Sequence, residues 1–157
     1  MGKEFRRNAF LFIVGGSLYA AIEVLWRGYS HPALLVVGGL CFLLVGDINS
    51  RLGRDITLPV QAAIAVALVT AVEFASGCIL NLRLELQLWD YSRAPLNLWG
   101  QICPFYMLAW IPLVLLAIVL EDWLSFKLFG AERPVYYLRR RKNAEYEASQ
   151  EGGDVVR

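Results

Sequence analysis

The stretch that decides the fold is LPVQAAIAVALVTAVEFASGCILNL, Leu58 to Leu82. An α-helix rises about 1.5 Å per residue, so roughly 20 mostly apolar residues cross the ~30 Å hydrocarbon layer of a bilayer. Leu58–Leu82 meets that length with a single acidic or basic residue, Glu73. In lipid an unpaired backbone amide or carbonyl costs several kcal/mol, which leaves only a helix or a closed barrel for such a run. A barrel requires many short alternating strands, and this sequence does not have them.

Working outward, three further runs have the same character: residues 8–26 (NAFLFIVGGSLYAAIEVLW), 32–48 (PALLVVGGLCFLLVGDI) and 104–123. The whole chain of 157 residues is 57% hydrophobic and 18% charged, too apolar for an ordinary soluble domain. The expectation is an all-α integral membrane bundle of four transmembrane helices within residues 1–130, with a loop at 83–103 and a basic, then polar tail at 131–157. Residues 8–26 have the basic start and apolar core of a signal peptide. Glu23, Trp26 and Arg27 follow that core without a small-residue cleavage site, so the segment is read as a retained helix.

The basic residues set the orientation, because Lys and Arg near span ends resist translocation. Lys3, Arg6 and Arg7 precede the first span, Arg51 and Arg54 lie between the second and third, and Lys127, Arg133, Arg139, Arg140, Arg141 and Lys142 surround or follow the end of the fourth. These segments belong in the cytoplasm, and with them both termini. The 83–103 loop then faces outward, with Trp26, Tyr29, Trp89, Tyr91 and Trp99 at the outer interface and Trp123, Phe126, Tyr136 and Tyr137 at the inner one. The tail composition cannot bury enough apolar area to fold alone and is expected to be disordered. Its basic run suits anionic headgroups or a docking partner.

Within the spans, Gly15 and Gly16 on the first and Gly38, Gly39 and Gly46 on the second give thin surfaces that let helix backbones approach. The carboxylates carry more information, since an ionised acid in a span is costly unless paired or hydrated. Arg27 follows Glu23 by one helical turn and is positioned for an i,i+4 ion pair. Glu73 has no basic residue on its own span; Thr70, Gly77 and Asn81 share its face. It is expected to be protonated, paired across helices or hydrated, and the partners in reach at its depth are Arg27, His31 and the outer loop. That loop begins LRLELQLWD, apolar at every second position, a pattern suited to an extended half-buried segment or a short interfacial helix over the polar cluster. Asp90, Asn97 and Gln101 add further polar groups. The candidate binding residues are Glu23, Arg27, Glu73, Asn81, Trp89, Asp90, Tyr91 and Asn97. They form either a shallow outward-facing site for a cation or polar solute, or a hydrogen-bonded plug.

Other chemistries have less support. His31, beside Pro32, reads as an interfacial or capping residue. Cys41, Cys78 and Cys103 lack metal-ligand spacing, and only Cys78 and Cys103 could meet near one membrane face. There is no Walker A loop, no GxGxxG and no basic patch of the nucleic-acid-binding kind. No catalytic residue, metal or cofactor is expected; if ATP is involved, another subunit binds it. An enzyme using Glu73 or Asp90 on a lipid-linked substrate is the weakest reading.

The segment WDYSxxPLNLWGQICPF, Trp89 to Phe105, with EFASGCILNL, Glu73 to Leu82, and the early Gly-Gly-x-x-Tyr-x-x-x-Glu, Gly15 to Glu23, resembles a family of small bacterial membrane proteins described as ABC-transporter permeases of the CmpB type. The likeness spans all four helices. Glu23, Arg27, Glu73, Gly77, Asn81, Trp89, Asp90, Tyr91, Ser92, Pro95, Asn97, Gly100 and Trp110 match its recurring positions. The resemblance implies a multi-pass protein of the bacterial plasma membrane that serves transport with an ATPase or other membrane subunit, or as a homo-oligomer. The alternative is a structural or regulatory membrane protein whose polar cluster locks the bundle and whose tail recruits a partner.

Overall fold

The computed structural model describes residues 2–52 and 56–138, with the backbone alone at 49–52. Four helices follow in order: α1 (Gly2–Arg27), α2 (Pro32–Leu52), α3 (Leu58–Gly77) and α4 (Pro104–Phe129). Among the described residues there is no strand beyond an isolated bridge between Leu98 and Ile102. The helices run up and down. Arg7 near the start of α1 lies 4.0 Å from Asp47 near the end of α2, and the rings of Phe10 and Phe129 meet at 5.7 Å. The beginning of α1 and the end of α4 therefore share one end of the bundle, the terminal end. The 84–103 segment occupies the other, the loop end.

The four expected segments are all helical, and three helices outrun them. α1 starts before residue 8, α2 continues past 48, and α4 continues past 123 to Phe129. Each extension lies at the terminal end, where sequence hydropathy fades but backbone amides still gain helical partners. Three helices are long and apolar enough to cross a membrane: Gly2–Arg27, Leu58–Arg83 and Pro104–Phe129, while Pro32–Ile48 is a shorter apolar run. α3 does not stop at Gly77; Cys78–Arg83 carries it on as a π-helical turn. Such a widened turn rotates the residues after it relative to a continuous α-helix.

Packing follows from small residues rather than from hydrophobicity, because lipid tails are as apolar as the core. α1 and α2 make the most extensive pair. A Cβ on Gly38 would run into the Tyr19 side chain, and one on Gly15 into Phe42, so these glycines set the closeness of the two helices. The middle layer is apolar: Val45 and Ile48 of α2, Ala62, Ala65 and Val69 of α3, and Val114 and Ile118 of α4. Large apolar side chains such as Ile13, Leu40, Val60, Leu108 and Leu116 face outward. A bundle with an apolar exterior suits a lipid environment.

Beyond α4 the chain turns at Gly130, in the left-handed region at φ 72°, and residues 131–138 cross the terminal end. Tyr136 packs on the central apolar cluster, and its hydroxyl donates to Asp122 Oδ2 at 2.9 Å. The Leu58 amide donates to the Tyr137 carbonyl at 2.7 Å, giving the first turn of α3 one of the acceptors a helix start lacks. So the described part of the tail is a strap. Arg51 and the run Arg139, Arg140, Arg141 and Lys142, the inner basic loop residue Arg54, and the expected disorder of 139–157 fall outside what is described of side chains or backbone.

Candidate functional site

The loop end is built from α3 upward. Thr70, Glu73, Gly77 and Asn81, the stripe expected on one face, are all buried. Glu73 is 7% exposed, and both its oxygens are engaged by neutral donors. The Tyr91 hydroxyl donates to Oε1 at 3.1 Å and the Trp110 indole N–H to Oε2 at 2.9 Å. Of the partners expected for Glu73, the outer loop supplies one. Arg27 and His31 go elsewhere: Arg27 pairs with Glu23 and donates to the Leu88 carbonyl, and His31 Nδ1 accepts the Ala33 amide at 3.2 Å as a cap on α2. Trp110, six residues into α4, is the partner that spacing along one span had no means to reveal. It stacks on Tyr19 of α1 at 6.1 Å, and Tyr91 stacks on Tyr106 at 4.4 Å, so Glu73 sits within an aromatic collar. One turn below, the Thr70 hydroxyl is buried without a hydrogen-bond partner.

Asn81, on the π turn, ties the loop down. Its Nδ2 donates to the Trp89 carbonyl at 3.0 Å and to Gln101 Oε1 at 2.9 Å, while its Oδ1 accepts the Leu88 amide at 2.7 Å. The Trp89 indole donates to the Gln101 carbonyl at 3.0 Å. Further out the loop closes on itself. Asp90 accepts the Ser92 amide at 2.8 Å and its hydroxyl at 2.9 Å. Asn97 donates to the Ser92 and Ala94 carbonyls and accepts the Gly100 amide, and Cys103 Sγ lies 3.3 Å from the Pro95 carbonyl. Gly100 takes φ 69°, a conformation that disfavours other residues. The three cysteines, Cys78 and Cys103 included, are free thiols.

The LRLELQLWD segment is neither an extended strand nor a regular helix. Glu85 and Gln87 take φ 55° and 49°, and only Leu88 of its alternating leucines is buried. Leu82, on the π turn, and Leu84 and Leu86 beyond it are all exposed.

Tyr19, one turn before Glu23 on α1, stacks on the Trp110 that donates to Glu73, so the two acids flank one aromatic centre. Asp90 stands apart, exposed and devoted to Ser92. The amide and hydroxyl of Ser92, helped by Arg93, hold the Asp90 carboxyl below the usual carboxylate range. Burial, then the neighbouring Glu73 carboxylate, pushes the Tyr91 phenol above its ordinary value.

The terminal end holds a second polar group that hydropathy masked. Glu121, 3% exposed, lies within α4, its Oε1 accepting the Ser125 hydroxyl at 2.7 Å. Gln61, equally buried, donates to the Ile56 carbonyl at 3.0 Å.

An all-helical bundle with an apolar exterior, three membrane-length helices and a polar centre under a tied-down loop defines a polytopic membrane protein. The comparison with known families makes this more specific: residues 10–131, more than half of the chain, match the family described as "Putative ABC-transporter type IV", the CmpB type, and the chain belongs to that family. No curated protein and no solved structure matches it.

Proposed function

We propose that this chain is the membrane-embedded subunit of an ABC-type transporter of the bacterial plasma membrane. Its loop end faces outward and its terminal end faces the cytoplasm, following the positive-inside distribution of Lys3, Arg6, Arg7, Lys127 and Arg133. A separate ATPase subunit or a second copy completes it, because four helices leave little room for a solute path and the chain carries no nucleotide-binding motif. Glu73 is the residue that meets a cation or polar solute, behind Tyr91 as a lid. The observation that supports this is that, among the described residues, the buried Glu73 carboxyl has a phenol and an indole as its only hydrogen-bond partners and no basic side chain pairs with it. A carboxylate held this way accommodates either a proton or an arriving cation. The orphaned Thr70 hydroxyl on the same face supplies a further ligand.

A second reading, a structural lock, is favoured by Asn81, whose amide is engaged by three loop groups. The two separate in a thermal-stability screen of detergent-purified protein and of Glu73→Gln against monovalent and divalent cations and small polar solutes. The transport reading expects stabilisation of the wild type that disappears in a folded Glu73→Gln protein. A variant that melts earlier, with no ligand effect on either protein, leaves the lock standing.

A further inference from the structure

The segment between the π turn and α4 is strained at some residues and anchored at the ones beside them. Among the described residues, four other than glycine take φ in the left-handed region, and all four lie here: Glu85 at 55°, Gln87 at 49°, Leu96 at 59° and Trp99 at 52°. A Cβ crowds the backbone in that conformation, and such residues persist only where their surroundings hold them. Their own side chains do little of the holding. All four are exposed, Leu96 by 81%, and of them Trp99 meets a ring, Phe74 at 5.6 Å. The neighbours do the rest. Leu88, next after Gln87, is buried, donates its amide to Asn81 Oδ1 at 2.7 Å and accepts at its carbonyl from Arg27. Tyr91 reaches Glu73 Oε1 at 3.1 Å. Gln101, two residues after Trp99, accepts from Asn81 Nδ2 at 2.9 Å and from the Trp89 indole at 3.0 Å.

We infer that residues 84–103 form a strained lid over Glu73, clasped shut by Tyr91 and Asn81 and relaxed when it lifts. The left-handed residues raise the free energy of the closed arrangement alone, because each regains the ordinary φ range once the anchors beside it let go. The anchors outweigh that cost, so the lid rests closed with a narrowed margin. The chain places glycine at Gly100, φ 69°, where a Cβ would stand 3.0 Å from Asp90 Oδ1, and leaves the other four positions to residues whose strain glycine would relieve. The described residues of the four helices carry no such strain. Opening is therefore local: it breaks the loop's bonds and leaves the apolar layer around Val114 and Ile118 packed. The inference deepens the reading of Glu73 as a site behind Tyr91 and rests on it for what the opening admits; the opening itself needs no guest.

Cys103 supplies the probe. Its thiol is 1% exposed at the foot of the loop, 3.3 Å from the Pro95 carbonyl, whereas Cys41 packs against the central apolar cluster. The full chain in detergent, with no candidate solute added, is treated with a water-soluble maleimide, and labelling of each cysteine is followed by mass spectrometry of its peptide. In the wild type Cys103 is expected to label slowly while Cys41 stays unlabelled. Tyr91→Phe removes one clasp and is expected to raise the Cys103 rate roughly tenfold, again without Cys41. Leu96→Gly relieves the strain and is expected to slow Cys103 several-fold relative to Leu96→Ala, which keeps it. A Cys103 that labels only together with Cys41 overturns the lid, since the bundle then opens as one. Leu96→Gly labelling no slower than Leu96→Ala overturns the strain, and an unchanged rate in Tyr91→Phe overturns the clasp. The exposed Leu96 pair keeps the test decisive if Tyr91→Phe does not fold. A lid that behaves as expected in a protein that no cation or polar solute stabilises sinks the transport reading alone, and a failed lid leaves the thermal screen of that reading untouched.

Discussion

The two ends of the bundle each bury a glutamate, and they treat it in opposite ways. At the loop end both Glu73 oxygens are taken by side chains from elsewhere in the chain, and the surrounding amides of Asn81, Asn97 and Gln101 engage one another and the loop backbone. At the terminal end Glu121 holds one local partner and borders a cavity. The difference teaches that a buried acid is not by itself a site. What differs is what holds it: at the loop end two neutral donors from the loop and a neighbouring helix, at the terminal end one serine of its own helix.

The contrast is broken most severely at Asn81. Replacing it with Ala removes three hydrogen bonds and leaves the Leu88 amide and Trp89 carbonyl without this partner. At about 1–3 kcal/mol for a buried group left unsatisfied, the loss should be around 3 kcal/mol, seen as a large fall in the thermal midpoint and as protease cutting within residues 84–103. A wild-type-like midpoint would mean that the loop end is not held by this amide.

A milder pair of substitutions sharpens the comparison. Tyr91→Phe strips Glu73 of its phenol and is expected to cost about 1–2 kcal/mol, because the acid is deep and loses half of its donors. Tyr136→Phe removes the donor to Asp122, which is half-buried, and is expected to cost under about 1 kcal/mol. Equal losses would show that the two ends are equally tight. The smallest effect is at Asp90. Its carboxyl is held below the ordinary value by Ser92, so the ionised form is favoured by folding. That contribution is complete above the unfolded pKa, roughly 4, and fades as pH falls through the lower folded value. Asp90→Asn should therefore flatten the acid side of the midpoint-versus-pH curve slightly while leaving the neutral region alone. An unchanged acid limb would remove Asp90 from the loop's stability.

Much of this was legible in the sequence. Length and hydropathy gave all four helices, and a helical period placed Thr70, Glu73, Gly77 and Asn81 on one buried face. The Glu23–Arg27 pair followed from i,i+4 spacing, and His31 caps as its neighbour Pro32 suggested. What was not legible depended on how helices meet. That Trp110 reaches Glu73 needs the register of α4 against α3, which no pattern within either span encodes. The LRLELQLWD alternation suggested an extended segment or a short interfacial helix, because period two normally signals a strand; left-handed turns at Glu85 and Gln87 make it neither. Glu121 went unnoticed since burial at a span end comes from neighbours, Gly46 on α2 and the returning strap, rather than from its own helix.

The bond from the Leu58 amide to the Tyr137 carbonyl bears on the order in which the molecule is finished. During synthesis the third helix emerges and can enter the bilayer long before its capping carbonyl exists, because almost the whole of α4 and the loop must be made in between. The loop end can therefore assemble once Trp110 has been made, whereas the contacts of Tyr136 and Tyr137 at the terminal end form only after α4 is complete. The bond acts as a late latch, and a chain cut short before Tyr137 leaves a bundle whose third helix begins without that acceptor.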